Sequence, residues 1–316
     1  MTDQWIIHDT YRYYICSDVK HKIAFFDLDE TLITSYRGMN PQRFNSDPND
    51  WIYLGDVPNE LVKLKNEGYS IVIVTNQSKC KGKYEQILQS KFEDIRIDLE
   101  MYGLNVSFLI STDKDIYRKP NIGLFELFFE VTGYENIEPE SFMCGDAAYE
   151  VDREGEFPAY DWSSSDLDFA KNCGLDFKRP NEIFKSNSYD FSNYDVLILV
   201  GTMGSGKSSF ARSLKNFYHL ENDTYKSNNI RVHKKYMSLL GITKIVFDAT
   251  NPTEARRAEY YEPALKKGLK VAIVWFIRNG RPWNTLREKP VKEQAYSMYV
   301  NRFEIPSGDV EVYRMY

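Results

Sequence analysis

The sequence predicts two α/β domains, each a doubly wound, mostly parallel sheet, because strand-like and helix-like segments alternate twice along the chain. At 316 residues the chain exceeds one typical core and suits two domains of ordinary size. Apolar, β-prone runs occur at 22–27, 71–75, 107–111 and 142–146 in the first half, and at 196–200, 245–248 and 271–276 in the second. Helical patterns lie between them, for example from Pro58 to Gly68, after Lys207 and over 254–267.

A polar stretch without a clear period separates the two patterns at 180–194. We therefore expect a first domain over 1–182, a linker over 183–194 and a second domain over 195–316. Alternating aromatic residues near the start, among them Trp5, Tyr11 and Tyr13, predict an extra hairpin over 1–20 on the first domain.

Composition limits the class of protein. The sequence shows neither a long apolar run nor a basic and apolar leader, so we expect no membrane partner and no secretion. The four cysteines are scattered, which fits a reducing intracellular location and does not distinguish nucleus from cytoplasm. Residues 1–195 carry 20 Lys and Arg against 35 Asp and Glu, whereas residues 196–316 carry 20 against 11. This asymmetry favours two modules, the second attracting a polyanion.

A pair of aspartates follows the first predicted strand. Residues two apart in an extended chain point the same way, so Asp27 and Asp29 can converge at the carboxyl end of that strand. Two carboxylates there would repel each other without a cation between them, which predicts Mg²⁺. One carboxylate can attack phosphorus while its neighbour protonates the leaving oxygen.

Three further segments end in groups that suit phosphate chemistry. Thr75 offers a hydroxyl to phosphate oxygens, Arg118 and Lys119 offer positive charge, and Asp146 offers another carboxylate to the metal. The order and spacing of these segments resemble the haloacid dehalogenase superfamily of phosphatases.

Within that superfamily, four segments resemble the phosphatase domain of polynucleotide kinase/phosphatase enzymes: 47–51, 75–77, 118–120 and 145–148. The resemblance implies Asp27 as nucleophile, Asp29 as acid and base, Thr75 and Lys119 as phosphate ligands, and Asp146 as metal ligand beside the two aspartates. Glu30 departs from the glycine usual after the second aspartate. The segment 27–32 is also similar to protein phosphatases of the same superfamily, which leaves a phosphoprotein substrate open as a minor alternative. Lys81 and Lys83 match a basic turn of the family that faces the nucleic acid, although a solvated loop explains them equally well.

The second half contains a phosphate-binding loop between a strand and a helix. Its glycines let backbone N–H groups curl around phosphates, Lys207 can reach the β- and γ-phosphates, and Ser208 can hold Mg²⁺. We expect ATP to be bound by Gly201, Thr202, Met203, Gly204, Ser205, Gly206, Lys207, Ser208 and Ser209.

Transfer of the phosphoryl group to an acceptor hydroxyl needs a base near that hydroxyl and groups that stabilise the developing charge. Asp223 is the candidate base, Lys226 could bind a substrate phosphate, and Asp248 ends a strand as in a Walker B element. Arginines in a basic lid-like segment, Arg281 or Arg287, could stabilise the transferring phosphoryl group, and the sequence does not choose between them.

These elements resemble the 5′-hydroxyl kinase domain of the same family, with Ala249 departing from its pattern. The resemblance covers roughly residues 20–310 and implies a bifunctional enzyme that acts on DNA or RNA ends. Such an enzyme would remove 3′-phosphates and add 5′-phosphates with ATP for strand-break repair, so a downstream ligase is an expected partner.

Two other functions stay open at this point. A small-molecule phosphatase could be fused to a small-molecule kinase, because neither fold determines its substrate. The second half could also be an ATP-regulated binding module without chemistry.

Overall fold

The computed structural model describes residues 3–35, 47–148, 163–184, 189–225, 228–277, 280, 284, 287, 289–307 and 310–315. The chain divides into two compact units with their boundary between residues 185 and 186. Each unit has its own sheet with parallel strands at its centre, which confirms the expected α/β fold class.

The first unit is built on a seven-stranded sheet in the order β1-β2-β7-β6-β3-β8-β9. Five neighbouring strands are parallel to one another: β7, β6, β3, β8 and β9. The strands β1 and β2 form an antiparallel hairpin, and β2 pairs with β7 in the antiparallel direction. A separate antiparallel pair consists of β4 and β5. The strands are β1 (Ile6–Ile7), β2 (Tyr11–Tyr14), β3 (Ile23–Phe26), β4 (Ile33–Thr34), β5 (Ile52–Tyr53), β6 (Ser70–Asn76), β7 (Val106–Ser111), β8 (Phe142–Cys144) and β9 (Asp176–Lys178).

Helices connect these strands: α1 (Val57–Asn66), α2 (Glu85–Met101), α3 (Gly123–Thr132), α4 (Ser165–Cys173) and α5 (Pro180–Ile183). On α2, the buried side chains Leu88, Phe92, Ile95 and Leu99 recur at helical spacing and form the face toward the sheet. Because β3, β6, β7 and β8 are parallel, their carboxyl ends share one edge, called here the catalytic edge.

The second unit has a five-stranded, all-parallel sheet in the order β11-β12-β10-β13-β14. Its strands are β10 (Val196–Gly201), β11 (Tyr218–Glu221), β12 (Ile245–Asp248), β13 (Val271–Phe276) and β14 (Glu311–Met315). Its helices are α6 (Lys207–Ser213), α7 (Asn229–Leu239), α8 (Glu254–Lys266) and α9 (Glu293–Arg302).

Two aromatic residues of the expected linker are buried. Phe184 is buried in the first unit against Phe26, with ring centroids 5.7 Å apart. Phe191 is buried in the core of the second unit, beside Phe210 and Tyr313. Each unit therefore draws its own end of this segment into its apolar core.

None of the helices within the described ranges is both long enough and apolar enough to cross a membrane.

Candidate active sites

The first candidate site lies at the catalytic edge of the first unit, where three carboxylates meet. Asp27 directly follows β3, and its backbone N–H donates to the carbonyl of Cys144 at the end of β8. One oxygen each of Asp27, Asp146 and Asp166 lies within 4.8 Å of the others. Sequence reasoning found Asp27 and Asp146 but missed Asp166, which lies on α4.

A buried lysine joins two of these carboxylates. Nζ of Lys119 donates to Oδ1 of Asp27 at 2.7 Å and to the carbonyl of Val74 at 2.6 Å, and it lies 2.7 Å from Oδ1 of Asp166. Burial disfavours its charge, but Asp166 and Asp27 outweigh that effect and raise the pKa of Lys119 to about 12. Lys119 is therefore a fixed positive charge beside Asp27.

The backbone of Lys119 is held by β6. Its N–H donates to Oδ1 of Asn76, and Nδ2 of Asn76 donates back to its carbonyl, both at 3.0 Å. This pair of bonds positions the lysine against the carboxylates, although sequence reasoning gave Asn76 no such role.

The two aspartates after β3 differ in their surroundings. Burial raises the pKa of Asp27 to about 7, which Lys119 opposes and Asp166 and Asp29 reinforce. Burial also raises the pKa of Asp29, whereas Lys91 and a hydrogen bond from Gln77 lower it. The pKa of both carboxyl groups is thus raised, and the two differ in their partners: Lys119 for Asp27, and Lys91 and Gln77 for Asp29.

The side chain of Asp29 lies outside the three-carboxylate cluster. Its Oδ2 accepts a 2.7 Å hydrogen bond from Nε2 of Gln77, which also donates to Oγ1 of Thr75 at 3.1 Å. Its Oδ1 is buried and has no hydrogen-bond partner among the described residues. The three carboxylate side chains close enough together to share a cation are thus Asp27, Asp146 and Asp166, and the metal role expected of Asp29 stays a prediction.

Two backbone features shape this site. A Cβ atom on Gly145 would lie 2.3 Å from Oδ2 of Asp166, so only glycine fits there without displacing that carboxylate. Glu30 has a φ of 59°, in the left-handed region that glycine adopts most easily. The glycine usual at this position thus has a conformational reason, and here Glu30 adopts the same conformation while accepting a hydrogen bond from Thr34.

The three basic residues expected to contact substrate at this site, Arg118, Lys81 and Lys83, differ in their contacts. Nη1 of Arg118 is buried without a hydrogen-bond partner among the described residues, next to Lys119. Lys81 forms an exposed ion pair with Asp113, and Lys83 lies over the ring of Tyr84 at 4.7 Å. Arg118 thus has a buried donor that no other described residue uses.

A buried amine behind the site also escaped sequence reasoning. Lys91 on α2 is only 1% exposed, and burial lowers its pKa while Asp29 and Asp50 oppose that shift. The sequence could have indicated this burial, because Lys91 lies between Leu88 and Phe92 on the apolar face of α2.

The second candidate site is the glycine-rich loop after β10. Gly204 and Gly206 have φ values of 82° and 100°, which other residues adopt at a cost. Nζ of Lys207 donates to the carbonyl of Thr202 and, at 3.3 Å, to Oγ of Ser205. Burial lowers the pKa of Lys207 to about 8, which Asp248 and Asp223 oppose and Arg287 reinforces.

A tyrosine hydroxyl and a backbone N–H from later in the chain hold this loop. The Tyr296 hydroxyl on α9 donates to the carbonyl of Met203 at 2.8 Å, and the Gly280 N–H donates to Oγ1 of Thr202 at 3.1 Å. A Cβ atom on Gly204 would lie 2.2 Å from the carbonyl oxygen of Gly280. Tyr296 and Gly280 were not identified from the sequence.

The expected acidic groups of the second unit gather at the ends of β11 and β12. Asp248 is buried, and its Oδ2 lies 2.9 Å from Nε2 of His219. Asp223 begins a short 3₁₀ turn directly after β11. His219, Glu221 and Asp248 could together hold a cation, since one donor atom of each lies within 4.8 Å of the others. His219 and Glu221 were missed.

For the other residues expected in the second site, the structure gives exposure only or no description. Ser208 is half-buried and Ser209 is exposed in the first turn of α6, and Arg287 is exposed. Arg281 and Lys226 lie outside the described residues.

Fold and site together define a two-unit phosphoryl-chemistry protein, with a carboxylate and lysine pocket in one α/β unit and a phosphate-binding loop in the other. The chain belongs to the family described as polynucleotide kinase 3 phosphatase, whose model matches residues 22–184. This membership confirms the resemblance read from the sequence.

Similar proteins cover both units. A protein of Schizosaccharomyces pombe named bifunctional polynucleotide phosphatase/kinase is 25% identical over 96% of this chain and 81% of its own length. A polynucleotide 3′-phosphatase of Arabidopsis thaliana is 28% identical over 53% of this chain and 24% of its own length. A 20.8 kDa protein of Autographa californica nuclear polyhedrosis virus is 35% identical over 56% of this chain and 93% of its own length.

Proposed function

We propose that this protein is a bifunctional enzyme that heals nucleic-acid ends. The first unit removes a phosphate from a 3′ end, and the second unit transfers a phosphate from ATP to a 5′ hydroxyl. The products are a 3′ hydroxyl and a 5′ phosphate, the ends that a ligase joins during strand-break repair. Membership of the family and the named relatives that span both units support this assignment.

The contact between Lys119 and Asp27 carries the proposal for the first unit. A buried ammonium group 2.7 Å from Oδ1 of Asp27 stabilises the ionised carboxylate and can also neutralise phosphate oxygens. In the first step, an oxygen of Asp27 forms a bond to phosphorus while the bond from phosphorus to the 3′ oxygen breaks. The carboxyl group of Asp29 gives its proton to that leaving oxygen.

In the second step, water attacks the phosphorus of the aspartyl phosphate. The bond from phosphorus to the Asp27 oxygen breaks, which releases inorganic phosphate and restores the carboxylate. Asp29, now ionised, accepts the proton of the attacking water. The partnerless Oδ1 of Asp29 provides an oxygen that is not already committed to a hydrogen bond with another described residue.

The donor set of the first site fits Mg²⁺. Three carboxylates supply the oxygen ligands that a hard cation prefers, and Lys119 alone leaves them with surplus negative charge. Asp27, Asp146 and Asp166 would hold the ion. When bound, it would neutralise charge on the phosphate oxygens.

In the second unit, the glycine-rich loop would hold the phosphates of ATP, with Lys207 at the β- and γ-phosphates and Ser208 placed for its Mg²⁺. Asp223 would take the proton of the 5′ hydroxyl as that oxygen bonds to the γ-phosphorus, and ADP would leave with the bridging oxygen. Asp248 and Asp223 both act electrostatically on Lys207, which supports their location near the loop.

A single substrate tests both activities. The protein is incubated with Mg²⁺, ATP and an oligonucleotide that carries a 5′ hydroxyl and a 3′ phosphate, and each end is analysed. Asp27→Ala should abolish only the loss of the 3′ phosphate, and Lys207→Ala should abolish only the gain of the 5′ phosphate. Transfer to sugars or nucleosides but not to oligonucleotides would overturn the proposal and favour a metabolic phosphatase and kinase.

A further inference from the structure

An aromatic ladder lies on the hairpin of the first unit. His8 and Tyr11 are stacked with ring centroids 4.4 Å apart, and Tyr117 approaches Tyr11 to 4.2 Å. Tyr13 lies nearly parallel to both His8 and Tyr11, at 6.4 and 6.5 Å. The rings of His8, Tyr11 and Tyr13 are nearly parallel, and the ring of Tyr117 is tilted by 41° against Tyr11 at the same place.

These rings are not part of the core. Along β2, Arg12 and Tyr14 are buried, whereas Tyr11 and Tyr13 on the opposite face are half-buried. The His8 side chain is exposed, so the ladder ends in an accessible ring. Burial of apolar surface therefore does not fully account for this arrangement.

The topology places the ladder at the catalytic edge. Because β2 runs antiparallel to β7, Tyr11 at the start of β2 pairs with Ser111 at the end of β7. Ser111 is in turn in register with Asn76, whose side chain holds Lys119. Three strand spacings of ~4.8 Å separate β2 from β3, so Tyr11 lies about 14 Å across the sheet from the segment that carries Asp27.

Tyr117 provides a second link to the pocket. It is two residues from Lys119, a separation that the backbone spans in roughly 7 Å. At about 3.4 Å per stacked base, 14 Å corresponds to roughly four nucleotides. A strand whose terminal phosphate reached Asp27 is therefore long enough to reach the ladder with its last few nucleotides.

Local charge suits a polyanion at this place even though the unit is acidic overall. The two loops that follow β6 and β7 carry five cations against two carboxylates, and Asp9 in the hairpin turn and Glu130, which acts electrostatically on Tyr11, add two more carboxylates. The cations are Lys79, Lys81, Lys83, Lys114 and Arg118, and the carboxylates are Asp113 and Asp115. Aromatic rings beside a basic loop are the combination that binds single strands through stacking and phosphate contacts.

We propose that His8, Tyr11 and Tyr117 form a stacking site for unpaired bases of the strand whose terminal phosphate enters the Asp27 pocket. This inference rests on the proposed 3′-phosphatase function and adds a preference for a single-stranded 3′ end. Bases within a duplex are already stacked, so a blunt duplex end gains little from the ladder.

The test compares three substrates with a 3′ phosphate. They are a single-stranded DNA of about ten nucleotides, the same DNA with abasic sites in place of the nucleotides before the last, and a blunt duplex. The unaltered protein, His8→Ala and Tyr117→Ala are measured with each. Tyr102→Ala is the matched control, because Tyr102 is an exposed aromatic residue after α2, near the amino ends of the strands.

For the single strand, each ladder variant should raise KM about fivefold to a hundredfold, the range for losing one base–aromatic stack, and leave kcat within twofold. KM for the abasic strand and the duplex should stay within twofold, and His8→Tyr should keep the KM of the unaltered protein. The proposal is overturned if KM is unchanged in both variants, if it rises equally for the abasic strand, or if Tyr102→Ala has the same effect.

Binding separates this inference from the proposed function. Fluorescence anisotropy of the labelled single strand reports the ladder without catalysis, and His8→Ala should weaken that binding by the same factor. If no oligonucleotide loses its phosphate while para-nitrophenyl phosphate is hydrolysed, the 3′-phosphatase function fails. If the unaltered protein and His8→Ala bind the strand equally well, the stacking-site proposal is contradicted and the 3′-phosphatase function is not affected.

Discussion

Nζ of Lys119 lies 2.7 Å from Oδ1 of Asp166, so a helix residue without any sequence motif helps to fix the lysine that faces Asp27. Asp166 also accepts a 3.1 Å hydrogen bond from the N–H of Ala147. Through these contacts, α4 contributes to the charge balance of a pocket whose other groups follow strands.

Asp166→Asn should lower kcat/KM of the 3′-phosphatase by about a hundredfold or more, because it removes a negative charge that both orients Lys119 and suits a metal ion. Kinase activity, measured on a 5′-hydroxyl oligonucleotide, should stay within twofold. Asp176→Asn, a change at an exposed carboxylate on β9, is the matched control. A phosphatase rate within twofold of the original would contradict the role of Asp166.

Gly145→Ala should lower phosphatase activity at least tenfold, since its Cβ would lie 2.3 Å from Oδ2 of Asp166 and displace that carboxylate. The comparison is Gly103→Ala, where a Cβ meets nothing within 4 Å and the backbone φ is positive, at 74°, unlike that of Gly145. That control should cost about 1 kcal/mol of stability through its backbone and keep its phosphatase rate. Thermal unfolding and initial rates of both variants check this, and equal rates would argue against it.

Tyr296→Phe should raise KM for ATP about fivefold, because one neutral hydrogen bond of ~1 kcal/mol no longer holds the carbonyl of Met203 in the loop. The phosphatase should not change. Tyr313→Phe removes a hydroxyl from the edge strand β14, where it donates to Glu311, and serves as control. If both variants keep the original KM for ATP, Tyr296 has no part in shaping the loop.

ATP binding should weaken as pH rises through about 8, the pKa to which burial lowers Lys207. The direction follows from the charge: below pH 8 the amine is protonated and attracts phosphates, whereas above pH 8 binding must first restore the proton. Kd should therefore approach a tenfold rise per pH unit above 8. Calorimetric titration from pH 6.5 to 9.5 measures it, with Lys207→Gln expected to bind weakly and without this dependence. A constant Kd across this interval for the unaltered protein would be the opposite result.

Sequence patterns predicted the central strands because those strands are continuous apolar runs, buried on both faces. The strands β9, β11 and β14 were missed since each is short and mixes polar with apolar residues, as in the segment from Tyr218 to Glu221. Their position depends on pairing with neighbours, which a local pattern does not contain.

The same distinction holds for the sites. Asp27, Lys119 and Lys207 belong to short motifs whose spacing is set by the local backbone. They could therefore be identified from this sequence alone. Asp166 is brought to Lys119 by the packing of α4, and no spacing along the sequence records that contact. The side chain of Asp29 hydrogen-bonds Gln77 and lies outside the three-carboxylate group for a related reason, because alternation along a strand does not continue through the turn that follows it. Its expected role at the metal stays a prediction.

The pairing of β2 with β7 has a consequence for how the protein can be shortened. The family match begins at residue 22, and a chain cut there would lose β2 and leave the backbone N–H and C=O groups along one side of β7 without partners. An uncovered strand edge invites pairing with another molecule, so such a fragment would tend to self-associate even with every catalytic group intact. The hairpin within the first twenty residues thus covers a side of β7 that would otherwise be open to pairing.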